Sequence, residues 1–126
     1  MGLVNKELEM NKDIARRWVT ALRSGEYEQT ERRLRKGTKK LGHCCLGVLC
    51  DLHSKETGTP WDREENTYLG EHGNLPQEVI KWAGMLNSGC LPDTVDGFGS
   101  LTSLNDYSNY AFKKIADVIE AQGDRL

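Results

Sequence analysis

Apolar residues near the start of the chain recur with the period of a helix: Ile14, Trp18 and Leu22 stand four apart, with Ala15 and Val19 beside them. Asn11 is a good N-cap, Arg23 suits the carbonyl end, and Gly25 provides the stop, so the spacing predicts a helix over 12–23. From Glu26 to Gly42 the periodicity stops. That stretch is polar and basic, with Leu34 and Leu41 as its anchors, and predicts a loop with a short hairpin around Lys36-Gly37-Thr38. Residues 44–58 are the most apolar in the protein. They predict a central buried helix ending at Gly58, with Cys45, Leu49 and Leu52 on one face and Gly47 allowing another element close approach.

Residues 59–73, with Pro60 and Trp61, predict a loop carrying a short strand at Thr67-Tyr68-Leu69. A further helix is predicted over 74–84, with Pro76 in its first turn, Glu78 near its amino end, and Val79, Trp82 and Ala83 facing inward. Residues 87–99, with Gly89, Pro92, Gly97 and Gly99, predict a loop long enough to act as a functional flap. Ser100 caps a short helical turn over 101–106, and Ser108 caps a final helix over 109–122 with the stripe Phe112, Ile115, Ala116, Ile119. The expected fold is α+β: one mainly helical domain over 1–126, with about four helices, short extended segments and long irregular loops, residues 1–10 being flexible.

Composition narrows the function. At 126 residues, 37% apolar and 29% charged, the chain supports one modest core. No apolar run approaches the roughly 18 residues needed to cross a bilayer, and the polar amino end does not read as a leader, so the expected location is the cytosol. Cys44, Cys45 and Cys50 fall within one helical stretch where they cannot easily pair, which argues against a disulfide scaffold. The net charge of −2 hides an asymmetry: residues 1–40 carry +5 and residues 41–126 carry −7. Such a chain can present a basic patch to an anion. Its overall negative charge and lack of a recognition motif argue against a nucleic-acid polymer as partner, and plain solvated charge is the alternative.

The candidate chemistry is sparse. His43, Cys44, Cys45, Cys50 and His53 invite zinc, but Cys50 and His53 form the sole pair with ligand spacing and adjacent Cys44 and Cys45 diverge on a helix, so no metal is expected. Cys44 follows His43 at the start of a helix, as a thiolate nucleophile would, yet a buried structural thiol reads the same way. Asp51 and His53, two apart on a helix, do not face each other. No phosphate-loop, dinucleotide or calcium-loop motif is present, and no cofactor is implied. What remains is polar: Arg23, Tyr27, Gln29 and Arg35 before the central helix, and Asn105 with Asp106 between two apolar segments. An Arg fork suits phosphate, aromatic faces suit a base, and an amide or carboxylate suits ribose or a base edge. The competing reading is that Asn105 and Asp106 cap the final helix while Arg23 closes the first.

Five stretches, residues 18–29, 43–52, 75–84, 101–106 and 112–120, resemble a family of small proteins of tailed bacteriophages, the run from Cys44 to Cys50 being the most distinctive. The resemblance implies a viral origin and brings no catalytic residues with it. Small phage proteins without enzyme motifs act on host machinery, and one of their strategies is to bind or degrade the nucleotide signals of bacterial immunity. By that analogy the expected function is an anti-defence protein of the host cytoplasm that sequesters a small nucleotide-derived signal, as a homo-oligomer whose subunits help enclose the ligand. Arg23, Tyr27, Gln29, Arg35, His43, Cys44, Asn105 and Asp106 are the expected binding residues. Two alternatives stand beside it: an enzyme cleaving a cyclic nucleotide through His43, Cys44 or Asp106, and an inhibitor that covers a host factor with its acidic carboxyl-terminal part.

Overall fold

The computed structural model describes residues 10–126, apart from the Asp124 side chain. Residues 1–9, expected to be flexible, lie outside the described residues. Met10 departs from that expectation: it is 2% exposed and belongs to the core, with the chain pinned beside it by Asn11 N donating to Ala83 O.

The fold is an α+β single domain. Helix α1 (Lys12–Arg23) is followed by three two-residue strands, β1 (Glu28–Gln29), β2 (Arg35–Lys36) and β3 (Gly42–His43), and then by the central α2 (Cys45–Thr57). After α3 (Gln77–Ala83) come β4 (Cys90–Val95), β5 (Phe98–Ser100), α4 (Leu101–Tyr107), α5 (Phe112–Gln122) and one 3-10 turn (Gly123–Arg125). Among the described residues no helix is long and apolar enough to cross a membrane.

The helices form where periodicity and capping agree. Asn11 accepts from Ile14 N, and Ile14, Trp18, Val19 and Leu22 are buried as α1 packs along α5. Trp18 Nε1 donates to Cys45 O at 2.9 Å, tying α1 to the start of α2. In α2 every residue from Cys45 to Cys50 is buried, as expected of a helix apolar on all sides. Gly47 is the point of closest approach: a Cβ there would lie 1.8 Å from the Leu34 carbonyl oxygen, so α2 rests directly on the backbone leading into β2.

Several expectations are corrected. Leu34 is fully buried, but Leu41 is 37% exposed and anchors nothing. The hairpin at 36–38 is present as the antiparallel β2–β3 pair, yet β3 also pairs in parallel with β1, giving the order β1-β3-β2. Around Tyr68 there are isolated bridges to either side rather than a strand, because Leu69 turns the chain at φ 50°. Ile80 joins Val79 and Ala83 in the core, while Trp82 is partly buried and packs against it. The supposed flap is a β-hairpin whose turn residues, Asp96 and Gly97, have φ of 50° and 84°, the left-handed pair that a tight hairpin favours. Ser108 closes α4 by donating to Leu104 O, Asn109 turns at φ 61°, and α5 begins only at Phe112. The α+β fold is as expected: among the described residues there are five α-helices, the short one over 101–107 included.

Candidate functional site

The small sheet places the site. In its register Arg35 on β2 is directly opposite His43 on β3, and such pairs bring their side chains to one face. His43 is 6% exposed, and the edges or faces of Tyr27 and Trp61 flank it at centroid separations of 5.1 and 5.6 Å. Among the described residues neither ring nitrogen has a hydrogen-bond partner. Arg35 is 8% exposed; its Nε donates to Asn66 Oδ1 at 2.8 Å and its guanidinium lies 4.6 Å over Trp61, but among the described residues it forms no ion pair. Asp51 is the nearby carboxylate whose charge acts on Arg35, but it makes no contact ion pair with it. A buried cation so placed and an imidazole without partners are each costly, so two such groups side by side need an explanation.

Asp51 on α2 holds the flanking rings in place. Its carboxylate accepts from Tyr27 Oη at 2.6 Å and from Trp61 Nε1 at 3.1 Å. Lys55, one turn on, lies 3.3 Å from the same carboxylate and donates to Tyr27 Oη at 3.1 Å. Burial opposes ionisation of Asp51, but the Tyr27 hydroxyl, Lys55 and His43 outweigh it and hold the carboxyl below its usual range. Burial and the bond to Asp51 push Tyr27 up to about 12. Burial takes His43 down to about 4; Asp51 opposes this, while Arg35 and Lys55 reinforce it, so the ring is neutral at pH 7. Burial also lowers Arg35 from its usual value.

A second polar network lies on the β1 side and is fully bonded. Asn105 is 2% exposed; its Oδ1 accepts from Gln29 Nε2 (3.0 Å) and Cys45 N (3.2 Å), and its Nδ2 donates to Thr30 O (2.8 Å) and Asp106 Oδ1 (3.0 Å). Gln29 Nε2 also donates to Tyr110 O, while its Oε1 accepts from Phe112 N and so caps α5 from a distant segment. Asp106 accepts from Arg32 N. Neither Asn105 nor Asp106 caps the last helix; both tie α4 to the chain around β1. Cys44 is the N-cap of α2, its Sγ accepting from Gly47 N, and burial pushes its thiol up to about 11.

Arg23 stands apart from both groups. It bonds Glu120 at 3.1 Å and Asp117 at 2.7 Å, and these contacts raise it further above its already high pKa. It borders a cavity of about 490 Å³ between α1 and α5 that includes none of the other seven expected residues. The structure therefore gathers Tyr27, Arg35 and His43, gathers Gln29, Asn105 and Asp106 with Cys44 close by, and leaves Arg23 alone. Trp61, Asp51 and Lys55 complete the first group and were not among the expected site residues. The four-residue spacing of Asp51 and Lys55 was the readable signal, one carboxylate and one ammonium on the same helix face. His53 does not pair with Cys50; its Nδ1 lies 2.6 Å from Tyr68 Oη. Among the described residues no cluster of three His, Cys, Asp or Glu side chains could hold a metal ion.

The family described as Domain of unknown function (DUF8296) matches residues 10–123. The chain belongs to that family. Neither a curated protein nor a solved structure matches it. The span matched to DUF8296 takes in both polar networks and the cavity beside Arg23, so all three lie within the family's domain.

Proposed function

We propose that this DUF8296 protein binds and sequesters a small nucleotide-derived anion at the cluster of Tyr27, Arg35, His43 and Trp61. The observation that carries the reading is Arg35, buried and, among the described residues, without an ion pair, set across the sheet from the imidazole of His43, which has no hydrogen-bond partner among them. A guanidinium in this setting offers paired donors to a phosphate, His43 offers one more, and the rims of Trp61 and Tyr27 suit a base or sugar. The resemblance to tailed-phage proteins supports placing such a protein among anti-defence factors of the host cytoplasm. A homo-oligomer belongs to the same proposal: a second subunit laid over Trp61 and exposed Lys55 would help to enclose the ligand.

Cleavage has less support than capture. The Cys44 thiol is held protonated by burial and spent as a helix cap, and the Asp106 carboxylate is bonded to backbone and amide. The test is calorimetry of the purified protein against a panel of cyclic mono- and dinucleotides, with mass spectrometry of the ligand released on denaturation. Stoichiometric binding, an intact ligand and loss of binding in Arg35→Ala are expected. A chemically altered nucleotide would turn the reading to cleavage, and no binding across the panel, with a host protein co-purifying instead, would turn it to an inhibitor of a host factor.

A further inference from the structure

His43 is not built like a ready-made anion donor. The charged and titratable groups around it are Arg35 from β2, Asp51 and Lys55 from α2, and Tyr27 from the segment before β1. Asp51 is already engaged by Tyr27, Trp61 and Lys55, which leaves Arg35 without an ion pair among the described residues and the neighbourhood of the ring short of negative charge. In a neutral imidazole one nitrogen is a donor and the other presents a lone pair, and a lone pair repels an incoming oxyanion. An anion seated between Arg35 and His43 supplies the missing negative charge in a low-dielectric site, which favours the imidazolium with both nitrogens as donors.

We propose that the site takes its anion together with one proton, which binds the lone-pair nitrogen of His43, and that the ligand is released with loss of that proton. This rests on the reading of the cluster as an anion site. The balance is simple: solvent or buffer gives up a proton, a ring N–H bond forms, and no bond in the ligand changes. Because the complex holds one more proton than the free protein, affinity rises as pH falls from about 8 to about 5, by at most about tenfold per unit.

The probes are cyclic AMP and cyclic dinucleotides, whose phosphodiesters do not titrate in this range. Their binding is measured by calorimetry in two buffers of different protonation enthalpy, at several pH values. About one proton taken up per ligand is expected at the acidic end of the range, together with a downfield imidazolium signature of His43 in nitrogen-15 spectra of the complex. His43→Gln keeps weaker binding with no proton uptake and a flat pH profile. Binding without uptake, or uptake that persists in His43→Gln, overturns the proton proposal and leaves the anion site standing. Failure of every probe to bind overturns both.

Discussion

Gln29 and Arg35 are both register partners of His43, one across the parallel edge of the sheet and one across the antiparallel edge, yet they lead into opposite kinds of interior. On the Gln29 side four hydrogen bonds satisfy Asn105 completely, and the result is a brace joining β1, α2, α4 and the start of α5. On the Arg35 side, among the described residues, neither nitrogen of the buried His43 ring has a hydrogen-bond partner and the buried Arg35 forms no ion pair. A satisfied buried network stiffens a fold, whereas each unmet buried donor or acceptor costs about 1–3 kcal/mol. On the proposed reading the comparison points to function through incompleteness: the cost carried at His43 and Arg35 would be recovered by an anion that binds the folded state.

The largest effect is expected where both regions rest on the same support. Gly47 lets α2 sit on the Leu34 carbonyl, and Cys44 N donates to that same carbonyl at 3.2 Å. A methyl group cannot share that space with backbone, so Gly47→Ala should cost about 3 kcal/mol or more in urea unfolding, since overpacking against an immovable neighbour forces the elements apart. A loss below about 1 kcal/mol would mean that α2 can slide relative to the sheet, and the contrast between its two edges would lose its fixed frame.

Acid should then separate the two networks. His43 is held near 4 in the folded protein against about 6.5 in the unfolded chain, so the unfolded chain takes up the proton first. The contribution of His43 is fully present above about pH 6.5 and is lost as pH falls toward about 4, by up to about 3 kcal/mol. His43→Phe removes both unmet nitrogens within a similar outline. It should flatten this acid loss, raise stability by about 1 kcal/mol at pH 7, and abolish ligand binding. Asn105→Ala should act in the opposite direction, lowering stability by about 2 kcal/mol at neutral pH because Cys45 N and Thr30 O lose a partner. If the two variants shift the unfolding midpoint in the same direction, completeness of bonding does not distinguish the two edges.

The helices were legible because period and caps coincide: Asn11 before Ile14, Ser100 before Leu101, and Gly58 after Thr57 each mark an end that exists. Of the three-stranded sheet only the β2–β3 hairpin was legible, since strands of two residues show no alternation and the parallel β1–β3 pair joins segments with no local turn between them. The hairpin over 90–100 carried a readable signal in Asp96-Gly97 that glycine-rich surroundings made look like a loop. For the site, residue types pointed to Tyr27, Arg35 and His43, but grouping them with Arg23 and Asn105 needed distances that no spacing supplies. Gln29 shows the limit plainly: it caps a helix 83 residues away, a role invisible in its own neighbourhood.

The smallest effect is the one that tests this grouping. Arg23 faces solvent, and its contacts with Asp117 and Glu120 join the end of α1 to α5 on the surface, where water and salt screen such pairs. Arg23→Ala should therefore leave the unfolding midpoint almost unchanged, any shift shrinking further at high salt. Nucleotide binding should keep its wild-type affinity, because none of the groups that contact Arg23 contacts Arg35 or His43. Calorimetry of Arg23→Ala beside Arg35→Ala reads this directly. If Arg23→Ala loses ligand while Arg35→Ala retains it, the anion sits in the cavity between α1 and α5, and the unmet groups at the sheet belong to the fold alone.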